Sequence, residues 1–158
     1  LDIFWILIDN RGSHMSYSGK FIPKNAKKYL GNPSNIIYRS SWELKFMNYC
    51  DTNPSIIEWG SEELAIPYYS PVDRKVRRYF PDFFIRLADR NGTIKKYLVE
   101  IKPDKFTKKP IKKSRRTKAY LQEVNQYITN QAKWAAAEEF CIDHSWEFLI
   151  ITEKHLKV

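Results

Sequence analysis

Two apolar, β-rich runs on either side of an Asn-Gly dipeptide constrain the fold of this chain more than any other feature. Residues 76–87 are rich in β-branched and aromatic side chains, Asn91-Gly92 follows, and Ile94–Ile101 repeats the character of the first run. Asn-Gly tolerates the positive φ angles of a tight turn whose twist matches its strands, so the pattern predicts an antiparallel hairpin. A hairpin alone is marginal in water, so other elements must cover it. Residues 56–59 and 64–69 read as two more strands with a turn at Gly60-Ser61, and residues 146–152 as a buried strand. A short helix is predicted over 40–51, with Ser40 as N-cap, Glu43 in the first turn, and Trp42, Phe46, Met47 and Tyr49 at helical spacing. A long helix is predicted from about 118 to 141. There Leu121, Val124, Ile128, Ala132, Ala135 and Ala136 recur at three- and four-residue steps and form the face expected to cover the sheet. The order α-β-β-β-β-α-β, with no repeat or linker, predicts one α/β domain with a mixed central β-sheet flanked by helices.

Composition excludes several other classes. The 158 residues are 43% apolar and 15% aromatic, enough for a core and too apolar for a disordered chain. The longest apolar run, residues 3–8, is six residues, against the ~20 a membrane-spanning helix needs, so no membrane partner is expected. Cys50 and Cys141 are far apart and lack metal-site spacing. Neither a GxxxxGK[ST] nor a GxGxxG loop is present, so no nucleotide cofactor is expected. Gly12-Ser13-His14-Met15 reads like the remnant of a cleaved tag, with residues 1–14 foreign and 15–158 the native domain, including an N-terminal arm over about 15–40.

The formal net charge is +9, and it is concentrated. Residues 102–118 contain nine Lys or Arg and one acid, Asp104. Such a run is either a solvated loop or a strip for a polyanion, since duplex DNA carries about one charge per 1.7 Å. Smaller basic clusters at Lys20/Lys24/Lys27/Lys28 and Arg74/Lys75/Arg77/Arg78 are balanced by acids elsewhere. The aromatics Tyr17, Phe21, Tyr29, Tyr38 and Trp42 interleave with the first cluster. They read as base-stacking groups, as anchors for a partner, or as an arm wrapping its own domain, the last two being favoured.

The hairpin carries the chemistry. Pro81-Asp82 lies in its first run, and Glu100-Ile101-Lys102 closes its second, a pattern of PD, seventeen residues, then E-x-K. Strand alternation puts Glu100 and Lys102 on one face and Ile101 on the other, and pairing brings Asp82 alongside. Two neighbouring carboxylates form a hard oxygen site suited to Mg²⁺, with the Ile101 carbonyl as an additional ligand. Lys102 is placed to orient an attacking water and stabilise developing charge, the requirements of phosphodiester hydrolysis. E-x-K on a strand is also the pattern of an exposed ion pair, and Pro-Asp that of an ordinary turn. Three features favour the site: both halves lie on adjacent strands, a helix-borne carboxylate stands upstream at Glu43, and the basic run begins at Lys102 itself.

These residues resemble the PD-(D/E)XK nuclease superfamily and, more closely, the head completion nucleases of contractile-tailed phages. The resemblance spans residues 16–158. It is carried by Y-S-G-K-F-I-P-K-N-A-K-K-Y-L-G from Tyr17, I-I-Y-R-S-S-W-E-L-K-F-M from Ile36, S-E-E-L-A-I-P-Y from Ser61 and R-Y-F-P-D-F from Arg78. A-A-A-E-E-F-C from Ala135 and W-E-F-L-I-I-T-E from Trp146 are similar to transposon-end endonucleases. The resemblance implies a restriction-endonuclease-like core and a Mg²⁺-dependent endonuclease, with Mn²⁺ as a substitute. It also implies action on phage DNA late in virion assembly in the host cytoplasm, with phage head or neck proteins as further partners. By the resemblance Asp82, Glu100 and Lys102 are the motif residues, Glu43 is the helix-borne acid that serves as a further metal ligand or base, and Gln131 and Lys133 match polar residues that some members bring to the site. A solvated helix flank accounts for the last two equally well. Lys105, Lys108, Lys109, Lys112, Lys113, Arg115, Arg116 and Lys118 are the expected DNA contacts, and phosphate-dominated contacts imply little sequence preference. Two alternatives are a structural protein that binds the DNA end or portal region without catalysis, and a repair or transposition endonuclease. A decayed nuclease is expected to have lost one motif residue, and all three are present.

Overall fold

The computed structural model describes residues 18–156. The proposed tag residues, Met15 and Tyr17 lie outside them. The arm opens with two short strands, β1 (Gly19–Phe21) and β2 (Ile36–Tyr38), paired antiparallel in a sheet of their own. The helix α1 (Ser41–Thr52) follows, then β3 (Ile56–Ser61), β4 (Ile66–Ser70), β5 (Lys75–Tyr79), β6 (Phe83–Ala88) and β7 (Ile94–Ile101). The long helix α2 (Lys118–His144) and β8 (Glu147–Ile151) complete the order. The central sheet runs β3-β6-β7-β8, antiparallel except for the parallel β7–β8 edge, whereas β4 and β5 form a separate two-stranded ribbon. The fold is therefore the expected single α/β domain with a mixed sheet.

Each face of the central sheet is covered, and strand alternation decides what faces what. Trp59, Phe83, Ile85, Tyr97, Val99 and Ile101 pack with Phe46, Met47 and Cys50 of α1. Phe84 and Leu98 point the other way, towards Trp134, Ala137 and Cys141 of α2. The arm belongs to the first layer: Phe21, Tyr29 and Ile36 are buried in it, and the rings of Phe21 and Tyr29 meet Trp59 edge-on. Phe21, Tyr29 and Trp42 are thus core residues and not free to stack on bases, and Tyr38 packs against the same cluster.

Three local expectations are corrected. The run over 76–87 is not one strand, because Phe80-Pro81-Asp82 separates β5 from β6, and Pro81 has no N–H for a ladder. Gly60-Ser61 lies inside β3, where an added Cβ on Gly60 would stand 3.1 Å from Glu63 Cγ and 3.3 Å from the Leu30 carbonyl oxygen. The connection to β4 is made one residue later, where Glu62 takes a φ of 53°. The buried face of α2 is Asn130, Trp134, Ala137 and Cys141; of the expected face Ala132 and Ala136 pack against it and Val124 is half-buried, while Leu121, Ile128 and Ala135 are exposed, so the apolar count found only part of the covered side. The Asn91-Gly92 turn is present, with Gly92 at φ 78°, inside a longer loop whose Asn91 and Thr93 amides donate to the Asp89 carboxylate.

Candidate active site

Pairing in the β6–β7 hairpin determines where the motif residues fall. Phe83 stands opposite Val99, so Asp82, one residue before the strand, meets Glu100 on its neighbour. The two strands are tied at the site: the Ile101 N–H donates to Asp82 Oδ2 at 2.8 Å. Glu100 is buried, at 6% exposure, and the Lys102 Nζ lies 3.7 Å from its Oε1. Ile101, between them, points into the core. Lys102 is itself anchored, its N–H donating to the Ile151 carbonyl of β8 at 3.0 Å.

Glu43 approaches from α1. The Ser40 hydroxyl caps that helix by accepting from the Glu43 N–H at 3.1 Å, and the Glu43 carboxylate reaches back to the Arg39 N–H at 2.9 Å, a variant of the capping box. Its charge is close enough to Asp82 to raise the aspartate's pKa.

Three residues that sequence reasoning missed complete the surroundings. The Tyr79 hydroxyl, at the end of β5, donates to Glu100 Oε2 at 2.5 Å. Glu62, in its left-handed conformation, donates its N–H to the Asp82 carbonyl at 3.1 Å. Arg39 pairs with the Glu62 carboxylate at 3.0 Å. A non-glycine residue held at positive φ beside a candidate site is backbone strain where function concentrates it. No short motif advertises these three; their positions follow from β5 ending beside the site and β3 turning next to it.

Burial and mutual repulsion hold the three acids towards their protonated forms. Burial drives the Asp82 carboxyl well above the ordinary carboxylate range, and the charges of Glu100 and Glu43 push the same way. Burial also raises Glu100, against the Tyr79 hydroxyl, Lys102 and the Asp82 N–H, which favour its ionised form. Burial raises Glu43 as well. Among the described residues no three His, Cys, Asp or Glu side chains converge as a closed metal cage. Mg²⁺ does not need one, because it takes one or two carboxylates and fills its shell with waters and phosphate oxygens. The Asp82–Glu100 pair fits that demand.

Of the two polar residues expected from α2, Lys133 approaches the site. Its Nζ lies 5.7 Å from the Tyr79 ring and 5.9 Å from that of Tyr68, and its charge lowers the Glu100 pKa. Gln131 is exposed and, two residues away on a helix, projects from another side. Lys105, Lys108, Lys109, Lys112, Lys113, Arg115, Arg116 and Lys118 are all exposed along the segment leading away from Lys102. Asp104 pins the start of that segment, pairing with Lys108 and with Lys154, each at 3.0 Å.

Comparison with known proteins gives the family. Residues 53–153 match the TnsA-like endonuclease N-terminal family, a span that includes Asp82, Glu100 and Lys102. Over 147 residues the chain is 41% identical to the head completion nuclease of Enterobacteria phage T4, covering 90% of this chain and 95% of that protein. No solved structure matches it. With the family match spanning most of the chain and so similar a relative along nearly all of it, the chain belongs to the TnsA-like endonuclease family, among relatives of the head completion nuclease.

Proposed function

We propose that this protein is a Mg²⁺-dependent endonuclease that hydrolyses DNA phosphodiester bonds with little sequence preference and acts in phage head completion after DNA packaging. The observation that carries the reading is the buried Asp82–Glu100 pair with the Lys102 ammonium 3.7 Å from Glu100. The name of the T4 relative supports the setting in head completion.

A bound Mg²⁺ supplies Lewis-acid polarisation of the scissile phosphate and lowers the pKa of a coordinated water. Asp82 and Glu100 would hold the cation, with the Ile101 carbonyl as a further ligand and Glu43 as a further ligand or base. The Ile101 N–H and the Tyr79 hydroxyl keep one oxygen of each carboxylate oriented, Asp82 Oδ2 and Glu100 Oε2, while Glu100 Oε1 faces the Lys102 ammonium at 3.7 Å. Lys102, held in place through its backbone by β8, orients the attacking water and stabilises charge developing on the phosphate. The exposed cations over 105–118 take the flanking phosphates, and phosphate contacts carry no sequence information.

Nicking of supercoiled plasmid with Mg²⁺ tests the site. Asp82→Asn is expected to lose several kcal/mol of transition-state stabilisation, roughly a thousandfold in rate. Equal cutting by the variant and the wild type overturns the site assignment. Complementation tests the setting: if Glu100→Ala still completes heads, the role there is structural alone.

A further inference from the structure

The β4–β5 ribbon is absent from the central sheet, and only one of its faces is used. Ile66, Tyr68 and Tyr79 are buried and pack with Trp134, Ala137 and Cys141 of α2. The outer face presents the cross-strand pairs Tyr69–Val76 and Pro67–Arg78, with Tyr69 58% and Val76 72% exposed. Cations flank this apolar stripe: Arg74 and Lys75 at the tip, and Arg78, whose guanidinium lies 5.6 Å from the exposed Phe80 ring. The ribbon's one acid, Asp73, is paired with Arg77. The stretch 66–79 thus holds four Lys or Arg against one acid. The ribbon also runs directly into the site, because Tyr79 contacts Glu100 and Asp82 follows three residues later.

We propose that the β4–β5 ribbon enters the major groove of the duplex next to the cut, with Tyr69 and Val76 towards the base edges and Arg74 and Lys75 on the bordering phosphates. The proposal rests on the nuclease reading of the Asp82–Glu100 site and adds a second DNA-contacting element to the basic segment after Lys102. The major groove admits a two-stranded ribbon, and its walls carry the charge that the flanking cations complement. A protein partner would use the apolar stripe but give no account of cations at both its ends, Arg74 and Lys75 at the tip and Arg78 at the other. The reach is bounded by the chain. Eight residues separate Asp82 from Arg74, at most ~26 Å of extended strand, or about eight base pairs. The ribbon therefore covers one flank of the cut.

The test is fluorescence anisotropy of a 30-base-pair duplex without divalent metal, across a salt series, with the full chain. Arg74→Gly combined with Lys75→Ala removes two cations, glycine being suited to the φ of 55° at position 74. Binding is expected to weaken roughly ten- to a hundredfold and the log–log salt slope to flatten by about 0.9 for each phosphate no longer neutralised. Total dimethyl sulfate methylation of guanine N7 in the duplex is expected to fall under saturating wild-type protein, wherever it binds, and this protection to be lost in Tyr69→Ala. Wild-type affinity and slope in the double variant, or unchanged protection in Tyr69→Ala, overturn the proposal. So does a double variant that binds DNA normally yet fails to complete heads, which points to a protein partner. Asp82→Asn separates the two readings: if it cuts normally, the site assignment fails, while the ribbon is judged on binding alone.

Discussion

Replacing Tyr79 with Phe removes one hydroxyl and nothing else, which makes it the sharpest probe of the site. The ring is 4% exposed and phenylalanine fills the same space, so no cavity forms. What disappears is the 2.5 Å hydrogen bond to Glu100 Oε2. A hydrogen bond to a charged group contributes about 1.5–3 kcal/mol, and the acceptor left behind is buried. For a chain of this size that corresponds to roughly 3–12 °C in melting temperature. A residue that orients a metal ligand typically accounts for about ten- to a hundredfold in metal affinity. Two measurements check this: thermal unfolding without metal, and nicking rate against Mg²⁺ concentration. The expected result is a lowered melting temperature together with a Mg²⁺ activation midpoint raised by about that factor, and near-wild-type cutting at saturating Mg²⁺. A lowered melting temperature with an unchanged midpoint would mean that Tyr79 supports the fold only, and the orienting role would be refuted.

Other outcomes follow from the same geometry. Neutralising Lys112, Lys113, Arg115 and Arg116 is expected to flatten the salt dependence of DNA binding by about 0.9 in log–log slope for each phosphate released; an unchanged slope makes that segment a solvated loop. Ser40→Ala removes the cap of α1 and is expected to cost about 1 kcal/mol in chemical denaturation, and a loss below about 0.3 kcal/mol would show the cap to be dispensable. Cys50 is buried with its thiol pushed well up by burial, and burial raises Cys141 to about 11. Thiolate is the reactive form, so both are expected to resist Ellman's reagent at pH 8 until guanidinium unfolds the chain. One rapid equivalent from the native protein contradicts the packing of α1 or α2.

The parts of the fold legible in the sequence are those where local chemistry and tertiary packing agree. Ile94–Ile101 is bounded by a turn dipeptide on one side and Lys102-Pro103 on the other, and its strand has those ends. The interruption at Phe80-Pro81-Asp82 is masked by strand-forming residues on both sides, although Pro81 carries the signal. Gly60 misleads because a glycine inside a strand looks, in sequence, like one needed for a turn. On α2, counting alanines outweighs Trp134, the large residue around which the buried face is built. The motif residues Asp82, Glu100 and Lys102 can be named because one hairpin holds them. Tyr79, Glu62 and Arg39 cannot, because each reaches the site from an element whose position depends on the whole molecule.

The parallel β7–β8 edge imposes an order of assembly. Ala88 and Ile94, which close the β6–β7 hairpin, are near neighbours in the chain, whereas the β8 partner of Tyr97 is Glu147, across the basic segment and all of α2. Closing the longer loop costs about 2 kcal/mol more in chain entropy. The carboxylates are thus brought together early and locally. The strand that registers Lys102 arrives late, after the ribosome has made nearly all of the described residues. Until then Asp82 and Glu100 stand beside an unanchored Lys102, and the arrangement of the three is completed only when Ile151 accepts the Lys102 amide.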